Sequence, residues 1–119
     1  GHVYTTEIDA RRAHHAKAHF KKANMDGIIT LYEQDIFELL SKWNHGEVDF
    51  VFMDAKKEEY LQYYEQVLPL LKKGGIIVAD DVEKFREQVK PFLDRVSKDQ
   101  RVVYQFLTID DGLALIFKR

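Results

Sequence analysis

Three aspartates and one lysine are the residues whose types and spacing could do chemistry. Asp54 follows the apolar run 48–53, and Asp80-Asp81 follow the run 76–79. Both runs read as strands of a parallel pair. Adjacent strands lie about 4.8 Å apart, so the three carboxylates should converge at one rim of a sheet. Two like charges 4 Å apart repel by about 4 kcal/mol at an effective dielectric of 20. A raised pKa, a basic neighbour or a divalent cation must relieve that repulsion. All-oxygen ligation completed by water suits Mg, Ca or Mn rather than zinc. The plainer alternative is that Asp81 caps a helix starting near Glu83 and the other two are solvated. Lys57, three residues after Asp54, could act as a general base if a nearby cation lowered its pKa. Otherwise it is a solvated lysine in a first helical turn. Glu7 ends an earlier strand, where a carboxylate can accept from both hydroxyls of a ribose; its alternative is an exposed loop glutamate. His15 and His19, spaced i, i+4, lack a third ligand and read as a solvated face. Ser41 and Ser97 have no adjacent base, which leaves nucleophilic catalysis unsupported.

The elements that must position these groups alternate along the chain. Residues 3–8 read as a strand, and Asp9 as the N-cap of a helix carrying Ala13, Ala16, Phe20 and Ala23 on one face. Residues 28–32 form a second strand and 35–43 a short helix. The third strand, 48–53, is apolar at most positions, as expected for a strand covered on both faces. Tyr60, Leu61, Tyr64, Val67, Leu68 and Leu71 form the stripe of a longer helix, kinked or restarted at Pro69 and closed by Gly74-Gly75. Residues 76–79 are a fourth strand. Phe85, Val89, Phe92, Leu93 and Val96 mark a helix containing Pro91. Strands 102–107 and 113–117 flank Asp110-Asp111-Gly112, a hairpin signal. This order predicts an α/β fold with a mostly parallel sheet, helices on both faces and an antiparallel C-terminal hairpin near an edge. Ligands in such sheets sit beyond the carboxyl ends of the strands, where Glu7, Asp35, Asp54, Lys57, Asp80 and Asp81 fall.

Bulk properties narrow the function. The 119 residues suit a single domain spanning 1–119. The formal net charge of -2 argues against nucleic acid as a partner. There is no cysteine, which excludes disulfides and thiolate chemistry. No apolar run approaches the roughly 18 residues of a membrane span, and the first residues lack a signal-peptide pattern. The expectation is a soluble, cytoplasmic protein with no membrane partner.

Three segments together carry a resemblance. They are Val3-Tyr4-Thr5-Thr6-Glu7-Ile8-Asp9, Val48-Asp49-Phe50-Val51-Phe52-Met53-Asp54-Ala55-Lys56-Lys57-Glu58-Glu59-Tyr60, and Gly74-Gly75-Ile76-Ile77-Val78-Ala79-Asp80-Asp81-Val82. In this order they resemble the O-methyltransferases related to the catechol and caffeoyl-CoA enzymes, and the ending 110–116 resembles the last strand of that family. The resemblance implies a Rossmann-like methyltransferase sheet that uses S-adenosylmethionine. Glu7 would hold the cofactor's ribose, and Glu33, Gln34 and Asp35 would lie along its adenine, with Asp54 also at the cofactor. Asp54, Asp80 and Asp81 would bind a divalent cation, usually magnesium, that chelates neighbouring hydroxyls of a small catechol-like acceptor. Lys57 falls where the catechol enzyme has its catalytic lysine.

The sequence departs from the family pattern in three ways. The first strand and glycine-rich loop are missing before Gly1, the family usually has asparagine at the position of Asp81, and after Val82 either the loop is short or residues are missing. In the family's sheet the missing strand lies between those ending at Glu7 and Asp54. The chain is therefore expected to pair these two strands directly or to borrow one from another copy as a homo-oligomer. Two other readings compete. One is a receiver-type domain phosphorylated on Asp54, which lacks the expected acidic pair on its first strand. The other is a non-enzymatic methyltransferase fragment that self-associates.

Overall fold

Asp9 and Asp35 each stop an extended run and start a helix. In the computed structural model, which describes all 119 residues, Asp9 lies in extended backbone and its Oδ1 accepts from the Arg12 amide at 3.0 Å. Asp35 does the same for the Phe37 amide at 2.8 Å. Each satisfies an amide that the first helical turn leaves unpaired. The helices they open are α1 (Ala10–Lys22) and α2 (Ile36–Ser41), alternating with β1 (Val3–Thr6) and β2 (Ile29–Tyr32). β1 and β2 pair in parallel, with Val3 opposite Ile29 and Thr6 opposite Tyr32. These elements make up one compact unit, Gly1–Asn44.

The second unit, His45–Arg119, holds β3 (Val48–Met53), α3 (Tyr60–Val67), β4 (Leu71–Asp80), α4 (Lys90–Ser97), β5 (Val102–Leu107) and β6 (Leu113–Lys118). Its sheet runs in the order β3-β4-β6-β5. β3 and β4 are parallel, whereas β6 runs antiparallel to both β4 and β5. The expectation of a mostly parallel sheet is therefore corrected: the sheet is mixed. The cause is the hairpin, which places β6 inside the sheet against β4 and leaves β5 at the edge. The expected ladder between the first and third strands does not form either. The strand paired with β1 is β2, and the strand paired with β3 is β4.

Two proline-bearing segments also differ from the sequence reading. α3 ends at Val67, and Pro69 lies in a 3-10 turn, Leu68–Leu70, from which the chain turns extended at Leu71. Lys118 Nζ takes up the Leu68 and Leu71 carbonyls at 2.8 and 2.7 Å. Gly74-Gly75 closes no helix. It bends β4, where Gly74 adopts φ +80° and the ladder jumps from Val48↔Leu71 to Phe50↔Ile76. α4 begins only at Lys90, with Pro91 in its first turn, where a missing N–H costs nothing.

Side chains alternate across this sheet. Met53, Ile77, Ala79, Ala114 and Ile116 are buried together with Tyr60, Tyr64, Leu68, Phe92 and Val96. On the opposite face, Phe50 and Phe52 remain 55% and 57% exposed, beside Val103 and Phe117. β3 is thus covered on one face, not both. No helix is long and apolar enough to cross a membrane.

Asp99, just after α4, is the buried carboxylate of this core. It accepts from Tyr64 Oη at 2.6 Å and from Arg101 Nε and Nη2 at 2.9 and 2.8 Å. The Arg101 guanidinium holds its pKa well below the usual carboxylate range, against the opposing effect of burial and with help from Tyr64. A depressed folded pKa contributes stability above the unfolded value of about 3.9 and loses it as pH falls below that. Asp99→Asn should therefore cost about 3 kcal/mol at neutral pH. In urea melts at a series of pH values, the gap to wild type should narrow below about pH 4; a constant gap would disprove the linkage.

Candidate active site

Met53 lies opposite Ala79, so the residues that follow, Asp54 and Asp80, stand at the carboxyl ends of two parallel strands. Asp81 continues from β4 with φ +63°, a left-handed conformation that aspartate tolerates better than most residues. One carboxylate oxygen from each of Asp54, Asp80 and Asp81 lies within 4.8 Å of the others. The convergence expected from the sequence is present. The capping alternative for Asp81 is not: its carboxylate faces Lys57, and α4 starts nine residues later.

Lys57 supplies the charge relief. It opens a 3-10 turn, Lys57–Glu59, that leads into α3. Its Nζ lies 3.0 Å from Asp54 Oδ1, 3.1 Å from Asp81 Oδ2 and 2.8 Å from Tyr60 Oη. Each of the three ammonium protons thus has an acceptor. The Tyr60 and Phe85 rings flank the charge, with centroids 4.9 and 5.6 Å from Nζ. Burial works to lower the lysine's pKa, but the hydrogen bonds to Tyr60, Asp54 and Asp81 outweigh it and raise the pKa above its ordinary value. Lys57 is held as an ammonium in this arrangement. Asp80 is fixed differently, with its Oδ1 accepting from the Asp81 amide at 2.8 Å.

Sequence reasoning missed Tyr60, which it assigned to packing. The ring is fully buried, but the hydroxyl also lies 2.9 Å from the Asp80 carbonyl and 3.2 Å from that of Met53. The available signal was its position three residues after Lys57, one helical turn away. The hairpin turn was also missed as part of the site. The Glu83 and Lys84 amides donate to the Asp111 carbonyl at 3.0 Å, which ties the segment after Asp81 to that turn.

The remaining candidates lie in the first unit. Glu7 extends β1 by one bond, its amide donating to the Tyr32 carbonyl at 3.0 Å. Its carboxylate pairs loosely with Arg12 at 3.7 Å and accepts from the Asp9 amide at 3.4 Å. Glu33 pairs with Lys17 at 2.9 Å, and Asp35 is taken up capping α2. Gln34 is half-buried between them. His15 and His19 are exposed and join no cluster of three ligands.

The carboxylates suit a hard divalent cation. Only one pair among three ligands can lie on opposite sides of an ion, about 4.8 Å apart for calcium and about 4.2 Å for magnesium, so the oxygens, now within 4.8 Å of one another, would draw together around one. Three carboxylates against one ammonium leave two formal negative charges at the rim.

A mixed Rossmann-like sheet with acidic groups and a lysine beyond its strand ends defines a class, and comparison with known proteins gives the family. The O-methyltransferase family profile matches residues 1–119, and the chain belongs to that family. It is 33% identical over 134 residues to mouse catechol O-methyltransferase domain-containing protein 1, covering 99% of this chain and 51% of the relative. It is 28% identical over 118 residues to the caffeoyl-CoA O-methyltransferase of Medicago sativa, covering 80% and 48%. The chain thus spans about half the length of these curated relatives. Among solved structures it superposes on the Bacillus cereus O-methyltransferase in complex with SAH, with TM-score 0.89 and 20% identity over 100% of this chain and 63% of that one. For SAH-bound PaMTH1 of Podospora anserina the values are 0.92, 22%, 100% and 61%.

The turn that supports Asp81 gives a direct test. Gly112 has φ +89°, and a Cβ there would meet Glu83 Cβ at 2.5 Å and Glu83 N at 2.6 Å. Gly112→Ala should cost about 2–4 kcal/mol in urea melts, combining the left-handed penalty with a clash against backbone. A loss below about 0.5 kcal/mol would show that the turn is free to move away.

Proposed function

We propose that this chain carries the cation-binding and ribose-binding parts of an S-adenosylmethionine-dependent O-methyltransferase acting on a small acceptor with neighbouring hydroxyls. The observation that carries the reading is the gathering of Asp54, Asp80, Asp81 and Lys57 at one rim. The named relatives that are catechol-type and caffeoyl-CoA O-methyltransferases, and the SAH-bound structures that share the fold, support it. When bound, the cofactor supplies an electrophilic methyl group, and a divalent cation, with Mg as the expected ion, supplies Lewis acidity toward acceptor oxygens.

The chain's own residues do the rest. Asp54, Asp80 and Asp81 hold the cation and thereby orient the acceptor, and positioning supplies much of the rate of such a transfer. Lys57 holds a proton at Nζ. It becomes a base only as its carboxylate partners are drawn away from it, because those hydrogen bonds now keep it charged. Glu7, held only by long contacts to Arg12 and the Asp9 amide, can turn to accept from two ribose hydroxyls, and Gln34 offers a side-chain amide. Glu33 and Asp35 would have to leave Lys17 and the α2 cap to contact an adenine, so Gln34 is the stronger candidate of the three. The exposed Phe50 and Phe52 further suggest homo-oligomers, since apolar faces of this kind drive association.

Two measurements test the reading. Titration of Mn²⁺ against the chain should show saturable binding that Asp54→Asn or Asp80→Asn weakens at least ten-fold; equal binding by all three proteins would sink the cation site. Calorimetry with S-adenosylhomocysteine should give heat that Glu7→Ala removes. Heat unaffected by Glu7→Ala would take Glu7 out of the cofactor site.

A further inference from the structure

Tyr60 is buried and apolar in outline, yet its hydroxyl stands at a junction of three chain segments. Lys57 Nζ donates to it at 2.8 Å. Its single proton has the Asp80 carbonyl as acceptor at 2.9 Å and the Met53 carbonyl as a longer alternative at 3.2 Å. Those two carbonyls belong to the last residues of the parallel strands whose ends carry Asp80 and lead into Asp54. One hydroxyl therefore touches both strand ends and the lysine that neutralises the carboxylates.

The directions of these bonds matter. A phenol has one proton to donate and lone pairs to accept. With the proton committed to a backbone carbonyl, the oxygen is left facing the ammonium as an acceptor. The ammonium then has one proton on Tyr60 and two to spend on Asp54 and Asp81. The Tyr60 and Phe85 rings close the sides of the lysine's berth, and its side chain is only 12% exposed. A lysine carries much rotamer freedom, and no other bond ties Nζ to the backbone of both strands.

We infer that Tyr60 is a positioning residue for Lys57: its hydroxyl fixes the ammonium against Asp54 and Asp81 by anchoring it to the Asp80 and Met53 carbonyls. The inference rests on the proposed role of Lys57, but its first test needs no methyl transfer.

Tyr64 provides a matched control. It lies one turn further along α3, is equally buried, and spends its hydroxyl on Asp99 rather than on Lys57. Tyr60→Phe and Tyr64→Phe therefore delete the same atom from the same helix. In ¹⁵N-labelled protein, the Lys57 ammonium should give a slowly exchanging NMR signal. Tyr60→Phe should abolish that signal or speed its exchange at least ten-fold, while Tyr64→Phe leaves it unchanged. A signal equally protected in Tyr60→Phe overturns the inference. If Tyr60→Phe does not fold, the wild-type chain decides. A protected Tyr60 hydroxyl proton with a cross-peak to the Lys57 ammonium is expected, and its absence refutes the proposal.

A kinetic arm separates the two readings. Where the wild type transfers methyl groups to a catechol with magnesium, Tyr60→Phe should lower kcat at least ten-fold at unchanged KM, and Tyr64→Phe should not. Equal kcat in Tyr60→Phe and wild type overturns the positioning role. A wild type without transfer counts against the proposed function and leaves the Lys57 signal to judge Tyr60.

Discussion

The site depends on one electrostatic constraint: three carboxylates crowd the ends of two adjacent strands, and a single ammonium sits among them. The sheet brings Asp54 and Asp80 level, and a left-handed residue turns Asp81 back toward Lys57. Without Lys57 that geometry would leave like charges within 4.8 Å of one another unrelieved. With it, the repulsion becomes attraction for two of the three, while Asp80 relies on a backbone amide. The lysine's high pKa and the closeness of the carboxylates have the same cause, since each stabilises the charged form of the other.

That constraint reaches outward through ordinary fold devices. A turn that only glycine can make at position 112 allows the hairpin to approach Glu83 and hold the segment after Asp81. Tyr60 joins α3 to the strand ends, and Tyr64, one turn on, joins the same helix to Asp99 and hence to α4 and β5. The helical side of the sheet is therefore cross-linked by polar bonds inside an apolar core. On the other side of that sheet Phe50 and Phe52 are exposed.

How much of this was legible in the sequence follows from whether the information is local. The capping aspartate at 9, the strands at 48–53 and 102–107 and the hairpin signal at 110–112 are set by near neighbours, and all appear where the pattern puts them; the cap at Asp35, read as the first residue of its helix, was not foreseen. The carboxylate cluster was also legible, because strand ends in a parallel pair fall side by side. The placement of β6 between β4 and β5 was not, since it depends on which edge the returning hairpin finds. Gly74-Gly75 misled because a glycine pair after an apolar helical stripe signals a helix end, whereas here the helix had ended at Val67 and the glycines bend a strand. Tyr60 misled for another reason. Its spacing described its ring correctly and said nothing about its hydroxyl.

The charge balance at the rim bears on the proposed cation site. A network built for stability alone tends toward equal numbers of opposite charges, since any excess must be desolvated without a partner. Here two formal negative charges remain after Lys57 is counted, borne by carboxylates whose oxygens lie within 4.8 Å of one another. Asp54 stays open to solvent, whereas Lys57 is packed between two rings and tied at all three protons. The rigid partner is therefore the cation already in place, and the open one is the carboxylate beside it. An arrangement that fixes its ammonium and leaves an exposed, excess negative charge favours a further cation electrostatically, and on that balance the proposed chemistry rests.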